Sequence, residues 1–208
     1  MSPDVVIPIV FPDYLIAVNT PAVSVQPPSF LGENFGTLIR IPATKNKVPE
    51  LGHAGVLFFK GSSGLSKYYE YGRYDAAALG LTRRVPIPDL SMLNGKPTKS
   101  SLAKTLAAIS RKSGQRGRIL AAYIEVKGQF EKMLAYAKKR VQDNTDPARE
   151  PYGLLTNSCV HFMKDVMEEG GVNTPWIIDP RPNSYIEEVR GSFPKLDYSP
   201  GQIHVVAP

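Results

Sequence analysis

Cysteine is almost absent from this chain. One thiol, Cys159, stands among 208 residues, which excludes an intrachain disulfide and any zinc site built from several cysteines. Long apolar runs are missing as well. Nothing approaches the ~20 consecutive apolar residues of a spanning helix, so no stable membrane insertion is expected. Met1 to Phe11 lacks the basic flank of a secretory signal, and Pro3, Pro8 and Pro12 break up its apolar stretch. Massed charge is lacking too. With 25 Lys and Arg against 19 Asp and Glu the net charge is +6, which favours an anionic partner. The cations are nevertheless dispersed. The densest stretches, Arg111–Arg118 and Lys138–Arg140, do not interleave with stacking aromatic residues, so nucleic acid is not expected as a partner.

What is present suffices for one sizeable core, 42% of the residues being hydrophobic. The reading is a single domain over residues 1–208, with residues 1–45 a proline-rich extension or edge strands. Within it, Val5–Phe11, Tyr14–Val18 and Thr37–Ile41 read as short extended segments. His53–Lys60 reads as a strand, Gly61-Ser62-Ser63-Gly64 as a turn and Lys67–Tyr74 as the return strand. Arg83–Leu90 fits an edge strand, and Ser101–Ser113 fits a helix that ends at Gly114. Arg118–Tyr136 is ambiguous. It reads either as one long helix or as a strand to Val126 followed by a helix over Gln129–Asp143; Gly128 and the β-rich Tyr123-Ile124-Glu125-Val126 favour the second.

A further helix begins at Cys159, with Asn157 as its expected N-cap and Gly170-Gly171 as its end. Cys159, Phe162, Met163 and Val166 share one face. A first-turn thiol is a candidate nucleophile because free amides and the helix dipole stabilise the thiolate. It is equally a small hydrophobe that could pack on a sheet. His161 is about 200° away around the helix and reads as a surface or packing residue. The candidate base is His53, on a strand where Gly52, Ala54 and Gly55 leave room beside the imidazole. By alternation Tyr68, Glu70 and Gly72 share a face of the return strand, and Glu70 can orient the imidazole. Asp179, Glu125 and Asn157 are the other candidates for that third role. Tyr69, Tyr71 and Tyr74 are candidate substrate-groove residues, although strand tyrosines also serve as ordinary packing.

Gly52-His53-Ala54-Gly55-Val56 followed by Asn157-Ser158-Cys159-Val160-His161-Phe162 resembles the circularly permuted NlpC/p60 branch of the papain-like cysteine peptidases, in which histidine precedes cysteine. Cys159–Phe162 is also similar to the motif of lecithin:retinol acyltransferases, where asparagine directly precedes cysteine; here Ser158 intervenes. Leu51–Phe59 together with Tyr68–Asp75 resembles bacterial type VI secretion effectors that carry such an amidase domain. The resemblance implies an α+β, papain-like fold with a central antiparallel sheet packed against helices. It implies a cofactor-free amidase that cuts peptidoglycan stem peptides, with Cys159 as nucleophile, His53 as base and Glu70 as orienting acid. Its further implications are type VI secretion components and a cognate immunity protein as partners, export without a signal peptide, and action in the periplasm of target bacteria. Two other readings remain: a lipid-directed thiol acyltransferase or phospholipase, and a non-catalytic binding domain. The amide of Cys159 is one plausible oxyanion donor. The spacing identifies no second one.

Overall fold

The computed structural model of the chain describes residues 2–17, 23–25, 39–41, 47–48, 52–74 and 79–206. Val18, Thr37, Leu38 and Asp75 of the expected segments lie outside these. The main sheet contains β1 (Asp4–Phe11), β6 (His53–Phe59), β7 (Ser66–Gly72), β8 (Leu81–Arg84), β11 (Ile119–Ala122), β12 (Ile124–Val126), β13 (Lys195–Ser199) and β14 (Gln202–Val206). Its order is β14-β13-β11-β1-β6-β7-β8, with β12 also on β1. Every pairing is antiparallel. Short ladders pair β2 (Ile16–Ala17) with β5 (Lys47–Val48), β3 (Val23–Val25) with β4 (Ile39–Ile41), and β9 (Met92–Leu93) with β10 (Lys96–Pro97).

Among the described residues four α-helices cover the sheet: α1 (Lys99–Ser113), α2 (Phe130–Gln142), α3 (Cys159–Glu169) and α4 (Pro182–Arg190). Strand alternation decides which face each meets. Val6 and Val10 of β1 join Ala54, Val56 and Phe58 of β6 against Phe130, Phe162, Met163 and Ile186 of α2, α3 and α4. Val5, Ile7, Ile9, Leu57 and Phe59 point the other way, onto Leu102, Leu106 and Ile109 of α1. Each large apolar side chain so buried contributes roughly 1.5–3 kcal/mol relative to exposure. The ambiguous Arg118–Tyr136 stretch resolves as strands and then a helix. Arg83–Leu90 contributes only its start to β8, which lies at the sheet's edge.

Within residues 1–45, read as an extension or edge strands, β1 is paired on both sides and so does not lie at the sheet's edge. Pro8 has no N–H to donate, yet it sits in the middle of this strand. It is tolerated because the ladder on one side is broken: Val6 pairs with Ile124 and Ile9 with Ala121, leaving Ile7 and Pro8 unpaired where β12 meets β11. At the strand's start, buried Asp4 accepts from the Gly61 amide at 3.0 Å and from the Phe130 amide at 2.9 Å. One carboxylate thus ties the β6–β7 turn and the start of α2 to β1.

Candidate active site

Gly52 immediately precedes β6 with φ +72°, and a Cβ there would lie 2.5 Å from Asn183 Oδ1. Glycine is required at this turn into the strand. Directly after it, His53 pairs with Phe11, whose ring stacks on the imidazole with centroids 6.1 Å apart; the tilted Tyr14 ring is 5.1 Å away. Across the sheet, Glu70 pairs with Gly55. Its Oε2 lies 3.5 Å from His53 Nε2 and accepts from the Tyr68 hydroxyl at 3.0 Å, while Arg83 binds Oε1. Gly55 makes this possible. A Cβ on it would fall 2.2 Å from Tyr68 Oη, so only glycine lets that ring lie across β6.

Cys159 belongs to the helix layer on the Ala54 face, whereas His53 points by alternation to the opposite face. They meet because the β6–β7 ladder ends at the Gly55–Glu70 pair, and β7 continues beside β8 alone. The Ala54 amide, beyond that ladder, and the His53 imidazole both favour the ionised form of the thiol. Cys159, His53 and Glu70 are buried, with 4%, 7% and 0% exposure. Glu70 is therefore not a solvated strand residue.

Burial pushes the Cys159 thiol up, but the His53 hydrogen bond and charge, the Ala54 amide and the Tyr152 hydroxyl outweigh it, and the net direction is down. Burial alone would lower His53; hydrogen bonds and attraction to Cys159 and Glu70 raise it from 6.5 to about 9. Burial likewise raises Glu70, and its bonds to His53 and Arg83 overcome this, taking it from 4.5 to about 2. The three shifts share one cause. The ionised forms of Cys159 and Glu70 each favour protonated His53, and protonated His53 favours both of them.

Tyr74 lies beside this group rather than along a separate groove: its hydroxyl is 2.9 Å from His53 Nε2, and the Arg83 guanidinium stacks 4.0 Å from its ring centroid. Tyr74 and Glu70 thus both face Nε2 of His53. Tyr69 and Tyr71 are not exposed groove residues. Tyr69 stacks on Phe58, and Tyr71 packs between Tyr152 and Phe162, both nearly fully buried. Their side chains point to the helix face, opposite Tyr68 and Glu70.

The expected N-cap is also displaced by one residue. Ser158 caps α3, its backbone amide donating to His161 Nδ1 at 3.4 Å, and this gives His161 a structural task. Asn157 instead braces the loop before the cysteine. Its Nδ2 donates to Tyr71 Oη at 3.0 Å and to the Glu150 carbonyl at 2.9 Å, and Arg140 donates to its Oδ1 at 3.0 Å. Of the other candidates for the acidic role, Asp179 is bonded by Arg181 and Glu125 is an exposed residue of β12. Tyr68, Arg83 and Tyr152 are the contacts that motif reading missed. Tyr68 lay within the expected alternation, whereas Arg83 is revealed only by the Glu70–Arg83 pairing of β7 with β8.

No helix among the described residues is long and apolar enough to cross a membrane. The fold is a mixed α+β arrangement that superimposes on the crystal structure of the type VI secretion system effector TseH with a TM-score of 0.78 and 31% sequence identity, covering 99% of this chain and 98% of that one. No curated protein sequence matches the chain. A family model described as type VI secretion system effector TseH-like matches residues 6–174, and the chain accordingly belongs to this family of effectors delivered by the type VI secretion machine.

Proposed function

We propose that this effector is a cysteine amidase that cleaves amide bonds in the peptide stems of peptidoglycan, acting in the periplasm of a competitor bacterium. The buried Cys159–His53–Glu70 group carries this reading, since its electrostatics favour a thiolate beside an imidazolium. The histidine strand followed by the cysteine helix supports a papain-like fold of permuted NlpC/p60 type. An enzyme of this kind calls for a cognate immunity protein in its producer, and the net charge of +6 suits an anionic wall.

In this mechanism the Cys159 sulfur attacks the scissile carbonyl, a C–S bond forms, and the carbonyl π electrons move to oxygen. The tetrahedral species collapses. Its C–N bond breaks as His53 gives its proton to the leaving amine. His53 then takes a proton from water, the hydroxide equivalent attacks the thioester, and the carboxylate product leaves with the thiol restored. Glu70 holds the imidazole and stabilises its charge, while Arg83 and Tyr68 hold Glu70. Tyr74 supports the ring from Nε2.

The experiment is to incubate purified peptidoglycan with wild type, Cys159→Ala and His53→Ala and to identify released fragments by mass spectrometry. New stem-peptide termini with wild type alone are expected. If wild type releases none, the cell-wall reading fails. Radiolabelled phospholipid run in parallel detects the acyltransferase or phospholipase chemistry instead. Toxicity that survives Cys159→Ala would mark a binding domain.

A further inference from the structure

Two rings lie against the imidazole of His53, and a single turn of the chain reaches both. Phe11 stacks on it at an interplanar angle of 18°, and Tyr14 lies tilted at 41°. The turn is Gly114–Arg118, where α1 gives way to β11. A Cβ on Gly114 would lie 2.3 Å from Phe11 Cδ1, so the backbone there packs directly on that ring. Gln115 grips the backbone of Leu15: its Oε1 accepts from the Leu15 amide at 3.2 Å, and its Nε2 donates to the Leu15 carbonyl at 3.1 Å. Arg118 donates from Nε and Nη2 to the two carboxylate oxygens of Asp13, each at 2.8 Å. The residues on both sides of Tyr14 are thus each held by two hydrogen bonds, and its own amide donates to the Phe11 carbonyl at 3.2 Å. The Asp13–Arg118 pair is exposed and adds little stability, but its two-pronged geometry fixes direction.

The turn itself is strained. Gln115 and Arg116 have φ of 52° and 64°, in the left-handed region that residues other than glycine rarely adopt. Ser110 of α1 holds it there: its carbonyl accepts from the Arg116 amide at 2.9 Å, and its buried hydroxyl donates to the Gly117 carbonyl at 2.7 Å. We propose that Tyr14 is a positioning residue for the proposed base, its ring held against the imidazole by the Gly114–Arg118 turn. An aromatic face attracts a cation that lies within about 6 Å of its centre, and the two ring centroids are 5.1 Å apart. The other titratable or charged groups around His53 are Cys159 from α3, Glu70 from β7 with Arg83 behind it, and Tyr74 just beyond β7. Glu70 and Tyr74 act at Nε2, whereas Tyr14 acts through its π face and favours the protonated ring. The inference rests on the proposed function in taking His53 as the base, and its test uses no cell-wall substrate.

The chain has three histidines, so His161 and His204 serve as references in the same spectrum. In Cys159→Ala the imidazole titrates without the thiol, and nitrogen-15 NMR follows all three. Tyr14→Leu keeps the imidazole covered but removes the π face, and it should lower the His53 midpoint by roughly half a pH unit. Tyr14→Phe should leave it in place. Gln115→Ala, at an exposed position, should lower it by a smaller amount while the references stay fixed. With the thiol present, Tyr14→Leu and Gln115→Ala should raise the pH midpoint of Cys159 alkylation by iodoacetamide, since a less favoured imidazolium stabilises the thiolate less. An unmoved His53 midpoint in Tyr14→Leu overturns the assignment, as does a rise, which would make Tyr14 a screen against water alone. If Tyr14→Leu does not fold, as read by circular dichroism, Gln115→Ala carries the test, and an unmoved midpoint there overturns the role of the turn in either case. The expected shifts in a protein that leaves peptidoglycan intact sink the proposed substrate but keep Tyr14; fragment release with unmoved midpoints does the reverse.

Discussion

Replacing Glu70 by glutamine removes a charge and almost nothing else. The amide oxygen can still accept from Tyr68 or Arg83, and the side-chain volume is conserved in a site with 0% exposure. The carboxyl falls from 4.5 to about 2 on folding. At ~1.4 kcal/mol per pH unit this corresponds to about 3 kcal/mol of stability at neutral pH. Because Arg83 is 43% exposed, water screens its share, and that figure is an upper one. The sign follows from the depressed pKa. The contribution is fully present above pH 4.5 and is lost as pH falls through about 2. Urea denaturation of wild type and Glu70→Gln, followed by far-UV circular dichroism, should show a difference of up to ~3 kcal/mol at pH 7 that shrinks to ~1.4 kcal/mol at pH 3. The same attraction seen from His53 is the same energy and is not added again. A gap that stays constant between these pH values, or none at pH 7, would refute the claim that ionised Glu70 stabilises this site.

His53→Ala should move the pH midpoint of Cys159 alkylation upward, because burial then acts on the thiol without the imidazole to oppose it; a midpoint that does not move would separate the thiol from His53. Gly55→Ala should lower stability by about 1–3 kcal/mol, since its Cβ would fall 2.2 Å from Tyr68 Oη and force the ring off Glu70. Thermal melting checks it, and Gly55→Ala combined with Tyr68→Phe should still be destabilised because the ring itself is in the way.

Cys159, His53 and Glu70 could be picked out in the sequence because each announces itself locally. A lone thiol opens a helical pattern, a histidine interrupts an apolar strand, and alternation puts Glu70 with Tyr68 on one face. Their meeting point could not be seen, since it depends on where the β6–β7 ladder stops. Tyr152 lies in a loop without periodicity, and Arg83 reaches Glu70 through strand register. The central place of β1 is hidden for a related reason: Pro8 argues for an edge, and only the break between β12 and β11 makes a central position acceptable. Asn157 and Ser158 are both good capping residues, and the choice between them was made by Tyr71, Glu150 and Arg140, all distant from the helix pattern.

The central place of β1 has a consequence for how the proposed site comes into being. Asp4 alone receives amides from 57 and 126 positions along the chain, so the strand nearest the N-terminus is completed only by segments that are made or released much later. Closing such long loops precedes the contacts that reward it, which slows assembly. Before that, His53 and Cys159 are an ordinary imidazole and an ordinary thiol. The pairing of thiol with imidazole is a property of the finished sheet, and a newly synthesised chain carries the two apart.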